Sequence, residues 1–415
     1  MQETAIKREN YLQRISTWID KPLIKVIIGQ RRVGKSMFML QIMEHIVSEN
    51  PNANCIYINT ENEEFQHIKN YENLQKEINS RLKKENKNYL FIDEIQDIAE
   101  FERALRSYLS KNQCDIYITG SNSQLMSGEL ATYLSGRYIE FKIHPLSFTE
   151  FCIFHNLPEE NASLLKYFRF GGMPFLRHLP LEDLMVNEYL QSIYNTILLR
   201  DIAERYEVRN IHLLKNLSRF IADSEGTIFS SLSISNYFKS INLQISPKTI
   251  LDYAEYLLNS MIINRVEQYN LIGKKILTSG GKMYFEDFGL RNSIVGGFKL
   301  TDIQKVLENA VYVQLVRNNY KVFVGQMRDK EIDFIAERGN EKCYIQVAYK
   351  LQLDKTIDRE FGNLLCIKDN FPKMVITMDD LAGTDYQGIR HIHILDFLKN
   401  CPAKEKGQPQ GLPLQ

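Results

Sequence analysis

The chain has 415 residues, of which 44% are hydrophobic and 25% charged, with 51 basic side chains balanced by 51 acidic ones. This is the composition of an ordinary globular protein of about three domains, and the zero net charge excludes a global field that would draw in nucleic acid. The six cysteines form no C-x-x-C pair and no apolar run approaches bilayer length, so neither a zinc site, a disulfide framework nor a membrane span is expected. The first nine residues lack the apolar core of a signal peptide, and with reduced thiols this points to a cytoplasmic protein.

Residues 9–20 predict a helix with Tyr11, Leu12, Ile15, Trp18 and Ile19 on one side. The run Leu23–Ile28 then predicts a strand covered on both faces, because such a strand need not alternate with polar residues. It enters Gly29-Gln30-Arg31-Arg32-Val33-Gly34-Lys35-Ser36-Met37. From Gly29 to Ser36 this matches G-x-x-x-x-G-K-[ST], set between a strand and a helix as the motif requires. Phosphate groups need donors at close range, and glycines let successive backbone N–H groups turn inward. The following helix adds its unsatisfied N–H groups and positive dipole end. Residues Gly29 to Met37 are therefore expected to bind a nucleotide, with Lys35 reaching the β- and γ-phosphates and Ser36 ligating Mg²⁺.

A second strand, Cys55–Asn59, precedes a polar helical region that ends in the charged stretch Arg81–Lys87. A third, Tyr89-Leu90-Phe91-Ile92, ends in Asp93-Glu94. An apolar strand closing on two carboxylates suits ATP hydrolysis: Asp93 would serve the Mg²⁺ shell and Glu94 would orient and polarise the attacking water. The adjacent glutamate separates ATPases from nucleotide kinases and GTPases. A fourth strand, Asp115–Thr119, leads to Gly120-Ser121-Asn122-Ser123. Ser121 and Asn122 are both candidates for the γ-phosphate contact, or alternatively for a turn or helix cap. Gly136-Arg137 precedes a fifth strand, Tyr138–Ile143. Arg137 is either an arginine finger completing a neighbouring subunit's site, which implies a homo-oligomer, or a plain surface arginine.

Gln30–Ser36, Phe91–Gln96, Thr119-Gly120-Ser121 and Leu134-Ser135-Gly136-Arg137 resemble the prokaryotic AAA-type ATPases that carry a large C-terminal domain of uncharacterised function. His144–Phe151 and Phe170-Gly171-Gly172-Met173-Pro174 are similar to the same family. The resemblance spans nearly the whole chain. It implies an α/β fold with a five-stranded parallel sheet, helices on both faces and ATP at the carboxyl ends of the strands.

Residues 151–205 predict a helical lid or connector in which Leu190, Ile193 and Ile197 make one apolar stripe. Residues 206–298 read as three helices followed by a two-stranded wing, Met261–Tyr269 and Lys282–Phe285, with Lys274-Lys275 in the loop. This is a winged-helix pattern, whose usual partner is duplex DNA. Between 205 and 285, ten basic and six acidic residues leave only +4. Lys248, Asp252 and Glu255 share the outward face of the third helix, so DNA binding and a packing or oligomerisation role both stay open.

From 299 to 401 a helix, a hairpin and further strands resemble the restriction-endonuclease-like fold. The resemblance places Glu308 and Asp333 at metal positions. Gln346-Val347-Ala348 stands where E-x-K belongs, Lys350 lies two residues further on, and retention of the fold without cleavage is the simpler expectation. Residues 402–415 are polar and rich in Pro, Gln and Gly, a composition expected to be disordered.

These residues point to a Mg²⁺-dependent ATPase acting on ATP, with residues 1–150 as the ATP-binding domain. Two alternatives accompany that reading: an ATP-gated DNA-binding regulator or nuclease, and a slow nucleotide switch that acts through assembly.

Overall fold

The computed structural model describes residues 6–122, 134, 136–351, 354–379, 382–383 and 385–400. Ser123, Ser135, Cys401 and the tail 402–415 lie outside the described residues. The chain divides into two compact units.

The first unit comprises Met1–Leu146, Met173–Ser218 and Lys248–Ile263. Helix α1 (Glu9–Ser16) leads to strand β1 (Ile24–Ile28), then helix α2 (Lys35–Glu49) and strand β2 (Asn54–Asn59). Helix α3 (Tyr71–Arg81), β3 (Asn88–Asp93), α4 (Phe101–Ser110), β4 (Asp115–Gly120) and β5 (Tyr138–Lys142) follow. The five strands form one parallel sheet in the order β2-β3-β4-β1-β5. Every residue of β1, β3 and β4 is buried, which accounts for their near-continuous apolar runs. Lys25 sits inside β1 because its ammonium donates to Asp115 on the adjacent β4, a carboxylate that also accepts the Tyr117 hydroxyl at 2.8 Å. A buried charge persists only with such a partner.

Helix α1 stops at Ser16, short of the expected end at Asp20, and Trp18 is only half-buried beyond its end. After the sheet, the unit contains a helix Asp183–Thr196 that continues as a π-helical stretch, Ile197–Glu204. The expected stripe of Leu190, Ile193 and Ile197 is buried there.

The second unit comprises Ser147–Gly172, Arg219–Pro247 and Asn264–Gln415. Its sheet has eight strands in the order β12-β13-β11-β10-β9-β8-β6-β7. These are β6 (Ile263–Asn270), β7 (Lys275–Phe285), β8 (Lys321–Met327), β9 (Lys330–Arg338), β10 (Glu341–Val347), β11 (Lys373–Thr377), β12 (Asp385–Tyr386) and β13 (Ile389–His393). Phe323, Ile332, Ile335, Tyr344, Phe361, Leu364 and Val375 form a core on this sheet.

The units depart from the boundaries expected at 150, 205 and 298. The two wing strands are not a separate small sheet, because β6 pairs in parallel with β8 at Gln268 and Val324. The three helices are present as Ile211–Asp223, Ser231–Ser240 and Pro247–Asn259. They do not share one unit, since Ser231–Ser240 falls in the second and Lys248–Asn259 in the first.

Candidate nucleotide site

Parallel pairing brings the carboxyl ends of β1, β3 and β4 to one edge of the first sheet, and the residues that follow each strand meet there. After β1 the chain turns at Gly29, where a Cβ would stand 2.3 Å from the Ile143 carbonyl oxygen, so no larger residue fits. Gly34 closes the loop with φ +94, a left-handed conformation that glycine adopts at little cost, and α2 begins at the next residue. Four residues separate the two glycines, and the loop backbone curls around the Lys35 ammonium, which donates to the carbonyls of Gly29 at 3.1 Å and Gln30 at 3.3 Å. Lys35 is 5% exposed. Burial pulls its pKa below the ordinary lysine value, against the opposing pull of Glu94 and Asp93.

Asp93 ends β3. Its two carboxylate oxygens are fixed by the Tyr57 hydroxyl, donating at 3.0 Å, and by the Thr119 hydroxyl from β4. Thr119 Oγ1 in turn accepts the Glu94 N–H at 2.9 Å. Glu94 has φ +55, an uncommon conformation for a side-chain-bearing residue and one that redirects it relative to the strand. Its Oε1 lies 3.8 Å from Lys35 Nζ. Burial alone would raise the Glu94 carboxyl. Lys35, the Gln96 amide, Arg31 and the Ser121 hydroxyl outweigh that and hold it below the ordinary carboxylate range. It is therefore ionised at neutral pH and able to accept a proton.

Ser121 and Asn122 are 2% and 1% exposed, directly after β4. Ser121 reaches the site through its hydrogen bond to Glu94. Arg31 is tied by two hydrogen bonds of 2.9 Å to Asp201. Arg32, with φ +70, and Met37 are exposed, and Ser36 is half-buried in the first turn of α2. Arg137 is not brought to this site. It is exposed at the start of β5, where its carbonyl accepts the Ile24 N–H. That is the opposite end of β1 from the phosphate loop, roughly 16 Å away along five residues of strand.

The side chains fit a nucleotide and its cation. The Gln30 carboxamide is fully buried in the loop with no hydrogen-bond partner among the described residues, as a site for a polar ligand would leave it. Ser36 and Asp93 offer a hydroxyl and a carboxylate, the oxygen donors that Mg²⁺ takes alongside phosphate oxygens and water.

Residues 21–152 match the family model of the AAA domain, and residues 161–301 match a domain of unknown function (DUF8612). An uncharacterized protein of Haemophilus influenzae is 36% identical over 404 residues, covering 96% of this chain and 100% of that protein. The chain belongs to its family. An uncharacterized protein of Methanocaldococcus jannaschii is 33% identical over 346 residues, 79% of this chain and 75% of that one. The first part of this family member is thus an AAA-type ATPase domain, and the loop, the acidic pair and the parallel sheet described above all lie in or beside it. Among solved structures, the Aeropyrum pernix ORC1 protein in complex with DNA is similar at 14% identity, covering 70% of this chain and 93% of that one. Its TM-score of 0.30 is too low for that likeness to bear on function.

In the second unit, two of the expected endonuclease-like positions meet, joined by a residue that sequence reasoning missed. Glu308 and Asp333 both face the Lys282 ammonium, at 2.9 and 3.9 Å, and Glu331 joins them at 2.7 Å. Gln346 accepts the Asp333 N–H at 2.8 Å and donates to Glu360 at 2.7 Å. Lys350 takes no part; it is exposed and lies over the Tyr349 ring. The lysine of this cluster comes from β7, more than sixty residues earlier in the chain, where no spacing rule would look for it.

Proposed function

We propose that the chain hydrolyses ATP to ADP and phosphate at the β1–β3–β4 edge. The observation that carries this reading is the Lys35–Glu94 pair. A buried ammonium and a carboxylate held ionised stand 3.8 Å apart in the one place where a phosphate loop and a strand-end acidic pair converge.

Lys35 and the N–H groups of residues 29–37 would hold the β- and γ-phosphates, giving up the Gly29 and Gln30 carbonyls for stronger anionic acceptors. Ser36 and Asp93 would hold Mg²⁺, which when bound supplies charge neutralisation across the phosphates. Glu94 would take the proton of a water attacking the γ-phosphorus while the bond to the β–γ bridging oxygen breaks. Ser121 orients that carboxylate, and Asn122 beside it is the second candidate for sensing the γ-phosphate. Arg137 lies too far from its own loop to complete the site. Its place fits a finger supplied to a neighbouring copy, which makes a homo-oligomer part of the proposal.

Lys248, Asp252 and Glu255 are exposed as expected. Two acids to one base give duplex phosphates little purchase on that face, so the DNA-binding alternative gains no support from it.

The test is Glu94→Gln, compared with the parent protein in ATP binding and in phosphate release. Glu94→Gln should bind ATP with unchanged or tighter affinity and lose at least about a hundredfold in turnover. Normal turnover in that variant would overturn the assignment.

A further inference from the structure

The buried pair Arg31–Asp201 has no role in the reaction as written, yet it lies inside the phosphate loop. Arg31 is the third residue of that loop and is 9% exposed; Asp201 is 5% exposed. The fork is bidentate, with Arg31 Nε donating to Oδ2 and Nη2 to Oδ1, both at 2.9 Å. The guanidinium belongs to the charge cluster of the site, since it pulls on Glu94 and opposes the charge of Lys35, while Asp201 supports that charge.

Asp201 stands in the eight-residue π-helical stretch Ile197–Glu204. Wide helical turns of this kind are rare and occur frequently at functional sites. The neighbouring Arg200 donates to Glu61 at 2.9 Å and lies 3.5 Å from Asp97. Glu61 follows β2, and Asp97 follows Glu94. One stretch of backbone therefore grips three connections at the carboxyl edge of the sheet: the phosphate loop, the β2 exit and the β3 exit.

From this geometry we infer that Asp201 is a nucleotide-sensing residue, whose carboxylate competes with the phosphate groups of the nucleotide for Arg31. The inference rests on the ATPase reading above. A triphosphate entering the loop attracts the guanidinium and repels the carboxylate, so both forces act to open the fork. The loss of Arg31 leaves a buried carboxylate without its partner, an arrangement that proteins relieve by moving the group toward water. The π-helical stretch is the element that moves, and it carries Arg200 with it. ADP, lacking the γ-phosphate charge, opens the fork less. Asp201 thus couples the phosphate number of the nucleotide to the segment that follows the AAA domain.

The experiment is hydrogen–deuterium exchange on the full chain carrying Glu94→Gln, which keeps bound ATP intact, together with ATP and ADP affinities of Asp201→Asn and Asp201→Glu. In the Glu94→Gln protein, saturating ATP should speed exchange of the amides between 197 and 204 by at least about fivefold, and ADP by less. Asp201→Asn removes the competitor, so ATP should bind about tenfold tighter, with a smaller gain for ADP. Asp201→Glu should restore the parent values. A merely structural role would lower stability and weaken both nucleotides alike. Exchange that ATP leaves unmoved in a protein that binds it, or an unchanged ATP-to-ADP affinity ratio in Asp201→Asn, overturns the inference. The exchange arm needs no change at Asp201, so a poorly folding Asp201→Asn does not shelter it. If Lys35→Ala binds ATP normally, the nucleotide site itself is misassigned. If Lys35→Ala loses ATP while residues 197–204 stay silent in the Glu94→Gln protein, only the sensor fails.

Discussion

The Lys35 ammonium and the Glu94 carboxylate lie 3.8 Å apart at the carboxyl edge of the first sheet. Each sets the charge state of the other: Glu94 offsets part of the burial that pulls Lys35 down, and Lys35 is the chief force holding Glu94 ionised. Because Glu94 titrates below the ordinary carboxylate range, turnover should be flat from about pH 8 down to about pH 6, with no acid limb from the base in that window. Lys35→Ala removes the ammonium and should weaken ATP binding by about a hundredfold, the scale of one or two charge-assisted phosphate contacts. Equilibrium titration with a fluorescent ATP analogue and a pH–rate profile check the two halves.

Thr119 is the residue that holds the acidic pair in register. Its hydroxyl donates to Asp93 and accepts the Glu94 N–H. Thr119→Val strips a donor and an acceptor from a fully buried place while keeping the shape, leaving two orphaned polar groups at about 1–3 kcal/mol each. ATP affinity should change by less than about threefold and phosphate release should fall by about tenfold or more, since the loss falls on the carboxylates proposed to manage the magnesium and the attacking water. Thr119→Ser should recover most of the rate. Steady-state phosphate release at saturating ATP decides it.

The phosphate loop and the acidic pair were legible because their chemistry is written at short spacing along the chain. Glycine, lysine and serine must sit within one strand–loop–helix unit, and two carboxylates must follow one strand end. Thr119 and Asp201 were not legible as partners. Thr119 reaches Asp93 only because β3 and β4 pair in parallel, with Ile92 opposite Ile118 one step earlier. Asp201 reaches Arg31 only through the packing of a helix far along the chain. The same limit explains the wing. The sequence pointed to two wing strands, but not that β6 would pair with β8 at Gln268 and Val324 and merge into a larger sheet. Lys350 was plausible by strand parity, whereas the lysine that meets Glu308 comes from β7.

Glu225 makes the second unit sensitive to pH. It is 1% exposed, accepts the Phe285 N–H at 2.8 Å and the Asn309 amide at 2.7 Å, and lies 3.5 Å from Arg291. Burial still pushes its carboxyl up to about 7, with Arg291 and the Phe285 N–H pulling against it and Glu308 adding to the rise. Between the ordinary glutamate value and about 7 the folded state keeps a proton that the unfolded state releases, so stability falls as pH rises through that window and levels off above it. The contribution amounts to roughly 3 kcal/mol across the window. Glu225→Gln should flatten the slope, so its stability relative to the parent improves from about pH 5 to about pH 8. Urea unfolding across that range, followed by hydrogen exchange in the second unit, measures it.

Lys282 is the counter-ion on which the second unit's acidic cluster depends. Its side chain is 4% exposed, with Glu308 at 2.9 Å, Glu331 at 2.7 Å and Asp333 at 3.9 Å, and the Tyr284 hydroxyl also donates to Glu308. Burial and Glu308 already raise the Asp333 carboxyl well above the ordinary range, and Lys282 is the main force opposing that rise. Lys282→Met keeps the packed stem and removes the charge. It leaves the acidic cluster without its counter-ion, and losing one partner of a buried pair costs about 3–5 kcal/mol. The deficit should shrink as the pH falls toward about 5, because the raised Asp333 carboxyl then takes up a proton more readily in the folded state than in the unfolded one. Lys282→Arg keeps a cation but widens its fork, and should recover only part of the stability. If Lys282→Met unfolds at the same urea concentration as the parent at both pH values, the ammonium does not hold this cluster together.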